Sequence, residues 1–415
     1  MTGAGRCQRI ERCFLELNAE RRGESQGAAA FSFLHARSGV GRPLRGRQRA
    51  PGRARGESRL ASCGIMFLFP GCRPMKLRFY PYTLALKHAF GIASNTRTST
   101  PAMIVELEHD GVTGFGEAAM PPYLGESQET AAAFLQKAAP LLAAVVDPFQ
   151  REEILPAVDA LAPGNTAAKA AVDIALHDWI GRKLGAPWYR IWGLDPKKAP
   201  VTSYTIGIDS PDIMRAKTRE ADIYKIIKVK LGRDAASDRA SIDAIRDVTD
   251  KPITVDANQG WRRRDDALRL IEWLATRGVV FVEQPMPKEQ PDDIAWLRER
   301  SPLPLIGDES VQRLADVAKA RGVFDGINIK LMKCTGLREA AQMITLARAL
   351  GLKVMLGCMT ETSCAISAAA QLSPLVDWAD LDGAVLIAND LFDGARIVDG
   401  RITLPDRPGI GIVKL

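Results

Sequence analysis

From Met75 onward the hydrophobic pattern changes character once, and the change marks a domain boundary. "KLRFYPYTLAL" reads as a strand, and "PAMIVELEHDGVTGFGEA" as a hairpin turning at Asp110-Gly111. "KHAFGIASNTRTST", rich in Gly, Ser, Thr and Asn, reads as the loop between them. Two helical patterns follow, "SQETAAAFLQKAAPLLAAV" and "NTAAKAAVDIALHDWIGRKLG", the second capped at Asn165 and closed at Gly185. Strands followed by helices predict an α+β domain over residues 75–198.

Over residues 199–394 short apolar strands alternate with amphipathic helices. The strand candidates are "SYTIGI", "YKIIKVKL", "ITVDAN", "VVFVEQP", "LPLIGDES", "GINIKL", "KVMLGC" and "WADLDGA". Charged residues at one end of these strands, from Lys230 to Lys330, recur about every 25 residues. A strand-loop-helix unit of that length predicts an α/β fold of the (β/α)8-barrel type, with its chemistry at the C-terminal strand ends. Residues 395–415 form a separate C-terminal segment.

Those strand ends carry the candidate chemistry. Asp256, Glu283 and Asp308 end successive strands, so three carboxylates lean over one mouth. Mutual repulsion makes this costly without a cation, and oxygen ligands without His or Cys favour Mg2+, one per subunit, with Mn2+ as an alternative. Lys228 and Lys230 are two apart in a strand and share a face. Lys330 ends the strand diametrically opposite. A lysine close to a divalent cation in a partly dry pocket is expected to have a lowered pKa suited to a general base, with Lys228 lowering that of Lys230 further. A cation flanked by two bases suits removal of a weakly acidic proton beside a carboxylate and its return to the other face. Lys333 reads as a solvated helix-start residue, and His177 as a packed helix residue.

The net charge of +7 does not belong to this body. Residues 1–74 hold 14 Arg and 5 Glu with no Lys or Asp, a balance of +9, which leaves −2 for the rest. The segment reads as disordered. It predicts either a basic arm for nucleic acid or a membrane surface, or the product of a start codon set too far upstream. The second reading is preferred, because the first lysine is Lys76, directly after Met75. No apolar run approaches the roughly 18–20 residues of a membrane span. Cys334, Cys358 and Cys364 form no paired framework in the body, which predicts a reducing cytoplasm.

The series "KVKLG", "TVDANQGW", "FVEQP", "GDES" and "NIKLMKCTG" resembles the enolase superfamily, muconate-lactonizing subgroup, and most of all its dipeptide epimerases. The resemblance runs from about Met75 to the C-terminus. It implies an α+β capping domain completed by the C-terminal segment, Mg2+ on Asp256, Glu283 and Asp308, and Lys230 with Lys330 as the acid/base pair. None of His35, His88, His109 and His177 stands at a barrel strand end, unlike the mandelate-racemase branch with its histidine base. Asp380 and Asp382 resemble the Asp-x-Asp pair that holds a dipeptide's α-ammonium, and a substrate without one would leave both facing nothing positive. Thr205 matches a threonine near the substrate carboxylate, while Cys358 and Thr360 would line the dipeptide. Arg97, in the cap loop, is the cation nominated for a substrate carboxylate such as a glutamate side chain, and Tyr123 is a weaker candidate. The implied activity is inversion of the α-carbon of a dipeptide's C-terminal residue, such as L-Ala-D/L-Glu from murein peptide, through an enediolate. N-acylamino acid racemase, o-succinylbenzoate synthase and cycloisomerase are the alternatives. The resemblance also implies a homo-oligomer, with no nucleic-acid or membrane partner. A chain starting at Met75 is expected to keep its solubility and activity, and loss of either would give the basic segment a role.

Overall fold

The structure is a computed structural model that describes residues 74–92, 96–120 and 122–415. The reading of the basic N-terminal segment therefore lies outside the described residues, as do positions 93–95 of the cap loop and Pro121. Strands β1 (Lys76–Gly91), β2 (Thr96–His109) and β3 (Val112–Ala119) form an antiparallel sheet in that order. The β2–β3 turn is where the sequence places it. Asp110 and Gly111 both have positive φ, 50° and 71°, the backbone twist that a two-residue hairpin requires.

Helices α1 (Gln128–Ala143), α2 (Arg151–Asp159) and α3 (Thr166–Leu184) complete this domain. α3 lies directly on β3, where Gly114 and Gly116 let the helix backbone come closer than a Cβ would allow. A Cβ at Gly116 would stand 1.9 Å from the carbonyl oxygen of Ala171. The helix closes at Gly185, in the left-handed region with φ 68°, as expected. Its start differs from expectation. Asn165 takes a left-handed conformation and its amide turns back to the Pro163 carbonyl. The free amides of Thr166 and Ala167 donate instead to the Glu126 carboxylate, which arrives from the loop before α1.

The second domain is the predicted barrel. Strands β4 (Tyr204–Ile206), β5 (Ile227–Lys230), β6 (Ile253–Asp256), β7 (Val279–Glu283), β8 (Leu305–Gly307), β9 (Gly326–Ile329), β10 (Lys353–Gly357) and β11 (Trp378–Asp380) pair in sequence order, all parallel. A bridge between Thr202 and Ala379, with Ser203 N–H donating to the Ala379 carbonyl at 3.1 Å, joins the last strand to the first. Helices from α4 (Pro211–Glu220) to α10 (Ser363–Ala370) alternate with the strands. Among the described residues no helix is long and apolar enough to cross a membrane.

The C-terminal segment and a buried carboxylate help to fix the cap in place. The C-terminal segment returns along α3, where Ile410 N–H donates to Asp178 at 3.0 Å and Arg182 donates to the Ile412 carbonyl at 2.9 Å. From β3, the buried Glu117 carboxylate reaches the start of α10. It accepts from Thr362 N–H at 2.9 Å, from the Thr362 hydroxyl and from Ala365 N–H at 3.3 Å. Burial nonetheless pushes the Glu117 carboxyl up to about 7, and burial followed by the nearby Glu117 pushes Glu361 up to about 8.

Gly116→Val is expected to destabilise the fold by about 1–3 kcal/mol or more, read as a lower urea midpoint, because the helix backbone leaves the side chain no space. The two raised carboxyls set a pH slope. Between their ordinary pKa and the raised one, the folded chain holds more protons than the unfolded chain, so stability falls as pH rises through that window. The Glu117→Gln/Glu361→Gln double variant is expected to show a shallower fall in urea-unfolding free energy between about pH 5 and pH 8. An unchanged slope would refute this.

Candidate active site

Strand register builds the site. Lys230 pairs with Asp256 across β5 and β6, and Asp256 with Glu283 across β6 and β7. Asp308 follows β8, whose Ile306 pairs with Glu283. The three acids are fully buried side by side, and one oxygen from each lies within 4.8 Å of the others. This is a compact, oxygen-only donor set of the kind a hard divalent cation takes. Oε2 of Glu283 has the Lys228 ammonium 2.7 Å away but no aligned hydrogen bond. The donor set therefore fits Mg2+ on its own chemistry.

Four lysines surround the acids. Lys230 Nζ is 2.6 Å from Asp256 Oδ2, and Lys330 Nζ is 2.8 Å from Asp308 Oδ2. β5 and β9 are four strands apart in the ring of eight, so these two ammonium groups approach from opposite sides. Lys228 is shared, at 2.7 Å from both Glu283 and Asp380 and 3.6 Å from Asp256. Lys333 is not the solvated residue its position suggests. It is fully buried, ion-paired to Asp308 Oδ1, and donates to the carbonyls of Asp308 at 2.7 Å, Asn328 at 2.9 Å and Val311 at 3.1 Å.

These contacts divide the acids by charge state. Burial raises every carboxyl, but Lys330 and Lys333 overcome it at Asp308 and hold its pKa well below the usual range. Lys230 and Lys228 likewise keep Asp256 low. Glu283 is pushed up to about 7 by burial and then by Asp256. At the lysines, the protein's own groups act in opposite directions. Burial favours a lower value at Lys330, yet the Asp308 carboxylate outweighs it and moves the ammonium well above its ordinary pKa. Lys228 is raised in the same way by Asp380, Glu283 and Asp256. A divalent cation held on these carboxylates would oppose that rise.

All of the nominated residues except Asp256 and Glu283 line one cavity of about 270 Å3, and those two lie buried beneath it. Asp380 ends β11, and Asp382 follows in the turn rather than in the strand. Both are buried. Ser203 donates to Asp380 at 2.6 Å and the Thr205 hydroxyl at 3.2 Å, while Thr205 N–H donates to Asp382 at 2.6 Å. Thr205 thus holds the acid pair in place. The pair is also less needy than expected, because Asp380 already has Lys228 as counter-ion and its pKa falls despite burial. Asp382 is different: burial, then the charge of Asp380, pushes it up to about 7. A cation placed there would restore its ionisation.

The cap supplies the opposite wall. Arg97 donates weakly to the Thr360 hydroxyl at 3.4 Å, and Thr360 and Thr100 share a 2.6 Å hydrogen bond. The Tyr123 hydroxyl donates to Met359 Sδ at 3.0 Å. Burial pushes the Cys358 thiol well up, and no histidine lines the cavity, so no thiolate nucleophile is built here. Sequence reasoning missed Asn328, whose amide donates to Glu283 at 2.7 Å. It also missed Gln284, whose carbonyl oxygen accepts from the N–H groups of Asp308 at 2.9 Å and Ser310 at 3.1 Å. Asn328 had a signal, since it stands two before Lys330 on the same strand face. Gln284 had none, because its role depends on a left-handed backbone, φ 35°.

Residues 79–193 match the N-terminal domain of the mandelate racemase / muconate lactonizing enzyme family, and residues 213–413 match the enolase C-terminal domain-like family. An L-Ala-D/L-Glu epimerase of Bacteroides thetaiotaomicron is 61% identical over 342 residues, which are 82% of this chain and 88% of that protein. The substrate-liganded L-Ala-D/L-Glu epimerase of Bacillus subtilis superposes with a TM-score of 0.78 at 30% identity, covering 82% of this chain and 99% of the other. The Enterococcus faecalis dipeptide epimerase complexed with Mg and L-Leu-L-Tyr gives a TM-score of 0.77 at 30% identity over the same shares, 82% and 99%. With both domains matched in order and a relative of this identity over most of its length, the chain belongs to the mandelate racemase / muconate lactonizing enzyme family.

Proposed function

We propose that the protein is a Mg2+-dependent dipeptide epimerase that inverts the α-carbon of the C-terminal residue of dipeptides such as L-Ala-D/L-Glu. The observation that carries this reading is the approach of Lys230 and Lys330 to one carboxylate cluster from opposite sides of the barrel. Two bases on opposite faces are what inversion needs. One lysine, neutral, takes the α-proton; the other, charged, returns a proton to the opposite face. Their protonation states exchange in the process, so the same pair works in either direction. Asp256, Glu283 and Asp308 would hold Mg2+, which would supply positive charge against the negative charge that develops on the substrate carboxylate.

The remaining residues bind and orient. Asp382, with Asp380 beside it, offers a carboxylate whose ionisation a substrate ammonium would favour, which selects a free amino group. Lys228 joins that acid pair to the metal-binding acids and presents its ammonium to the cavity between them. Arg97 lies across the cavity on the cap side, with its Nε buried and unpartnered, and is the group placed to read an anionic side chain. Cys358 and Thr360 shape the wall between.

The test is proton NMR in D2O with Mg2+ and L-Ala-L-Glu. The α-proton signal of the glutamyl residue is expected to fade while the other diastereomer grows. Lys230→Met and Lys330→Met should each lower epimerisation by about 10²–10⁴-fold, the usual share of one general base. Each variant should still exchange the α-proton of one diastereomer and not the other, because one base remains. Exchange on N-succinyl amino acids but on no dipeptide, surviving Asp380→Ala/Asp382→Ala, would overturn the reading in favour of an N-acylamino acid racemase.

A further inference from the structure

An open pocket of about 470 Å3 lies between the loops that follow β5 and β6. Its lining is strongly basic. Arg233, Arg239, Arg262, Arg263 and Arg269 line it against Asp234 and Asp266, an excess of three positive charges. Residues 75–415 as a whole carry −2, so the excess is local to this surface.

Both aspartates are already engaged. Asp234 caps helix α5 (Ala235–Arg246), accepting from Ala236 N–H at 3.0 Å, Ser237 N–H at 2.9 Å and the Ser237 hydroxyl at 2.6 Å. Asp266 is shared between Arg263, at 3.3 Å, and Arg269. Arg233, Arg239 and Arg262 are left without an ion pair among the described residues. Like charges gathered in a concave surface raise its positive potential, and an anion relieves it.

The backbone that carries these arginines is fixed. Gly232 and Gly260 meet across the two loops, so closely that a Cβ on Gly260 would stand 2.2 Å from the Gly232 carbonyl oxygen. The buried Asp238 carboxylate ties the same loops, accepting from Gly232 N–H at 2.9 Å and from the Trp261 indole at 2.9 Å. Arg233 and Arg262 directly follow these clamped residues. Arg239 is held by its flat face, stacked 4.6 Å from the centre of the Trp273 ring, which occupies none of its N–H groups. Guanidinium forks match phosphate and carboxylate oxygens two at a time, and three free forks on a fixed frame suit more than one negative charge.

We propose that this pocket binds a dianionic oxyanion, a phosphate group or a pair of carboxylates, at a site that shares only Arg262 with the substrate cavity. The proposal concerns binding alone and stands whether or not the dipeptide reading does.

The experiment is calorimetric titration of the Mg2+-loaded protein with inorganic phosphate at low ionic strength. It compares the wild type, Arg233→Ala/Arg239→Ala and Arg300→Ala, with melting temperatures checking that each variant folds. Arg233 and Arg239 lie outside the substrate cavity, and Arg300 lies outside both pockets, so phosphate on the metal and general surface charge are each controlled for. Wild type and Arg300→Ala should bind one phosphate saturably in the millimolar range, and more weakly in about 0.15 M salt. The double variant should bind it at least about tenfold more weakly. No saturable binding, binding that the double variant retains, or an equal loss in Arg300→Ala would overturn the proposal. Repeating the wild-type titration with saturating L-Ala-L-Glu identifies the source of the anion, and either result upholds the site. Displacement of phosphate assigns the pocket to the acidic side chain of a substrate, whereas phosphate bound beside the dipeptide assigns it to a separate phosphate-bearing ligand.

Discussion

Asp256, Glu283 and Asp308 are buried within reach of a single ion, and much of the barrel mouth is organised by the need to make that arrangement tolerable. Burial alone would drive these carboxyls toward protonation. Lysines prevent it at two of the three, Lys228 and Lys230 from β5 and Lys330 and Lys333 from the chain just after β9. Lys333 does so from within the protein, where Asp308 Oδ1 and three backbone carbonyls share its three N–H groups. Asp308 is consequently fixed on both oxygens, one by Lys333 and one by Lys330. Removing one member of such a buried pair commonly costs about 3–5 kcal/mol, because the other charge is left without compensation. The site is therefore a structural element as well as a chemical one. Left-handed backbone at Asn258, Gln259 and Gln284, φ 42°, 66° and 35°, falls in the loops that follow these strands. Such strain persists where surrounding contacts over-determine it, and Gln284 supplies those contacts through its bonds to the Asp308 loop.

The loop after β10 carries the same constraint outward to the cap. Thr360 is bonded to Thr100, Met359 receives the Tyr123 hydroxyl, and Thr362 donates to Glu117. Three positions of the cap thus touch three residues of one barrel loop. A shift of the cap sheet would drag the Cys358–Thr360 wall of the cavity with it. The glycines of β3 matter for this reason, since they set the distance between that sheet and α3, and the C-terminal segment then fastens α3.

The fold was legible because it repeats. Eight strands at near-regular intervals, five in succession ending in or just before a charge, leave few alternatives, and the paired lysines follow from alternation within a strand. What the sequence concealed were interactions between distant segments. Lys333 looks like any polar residue ahead of a helix, and only the curl of the chain after β9 turns it inward under Asp308. Asn165 has the composition of a cap, but Glu126, some forty residues earlier, fills that role. The Asp380–Lys228 pair joins the last strand of the barrel to its second, a contact that exists only once the ring closes. That pair explains why two aspartates could not be read as two equal sites for a substrate cation.

The inequality of Asp380 and Asp382 has a consequence for recognition. Asp380 is satisfied by Lys228, Ser203 and Thr205, so it belongs electrically to the metal-binding half of the site. Asp382 keeps a raised pKa and a backbone donor, and it is the carboxylate whose charge depends on what binds. The catalytic end is thus locked by ion pairs whose loss would unbalance the barrel, whereas the recognition end is bounded by Phe90, Leu386 and the cap loop, which carry no such load. Substitutions at these wall positions alter shape without exposing a buried charge. A scaffold arranged this way can change the dipeptide it accepts while the proton-transfer geometry stays fixed, because the two requirements fall on different residues, linked through Lys228 and Asp380.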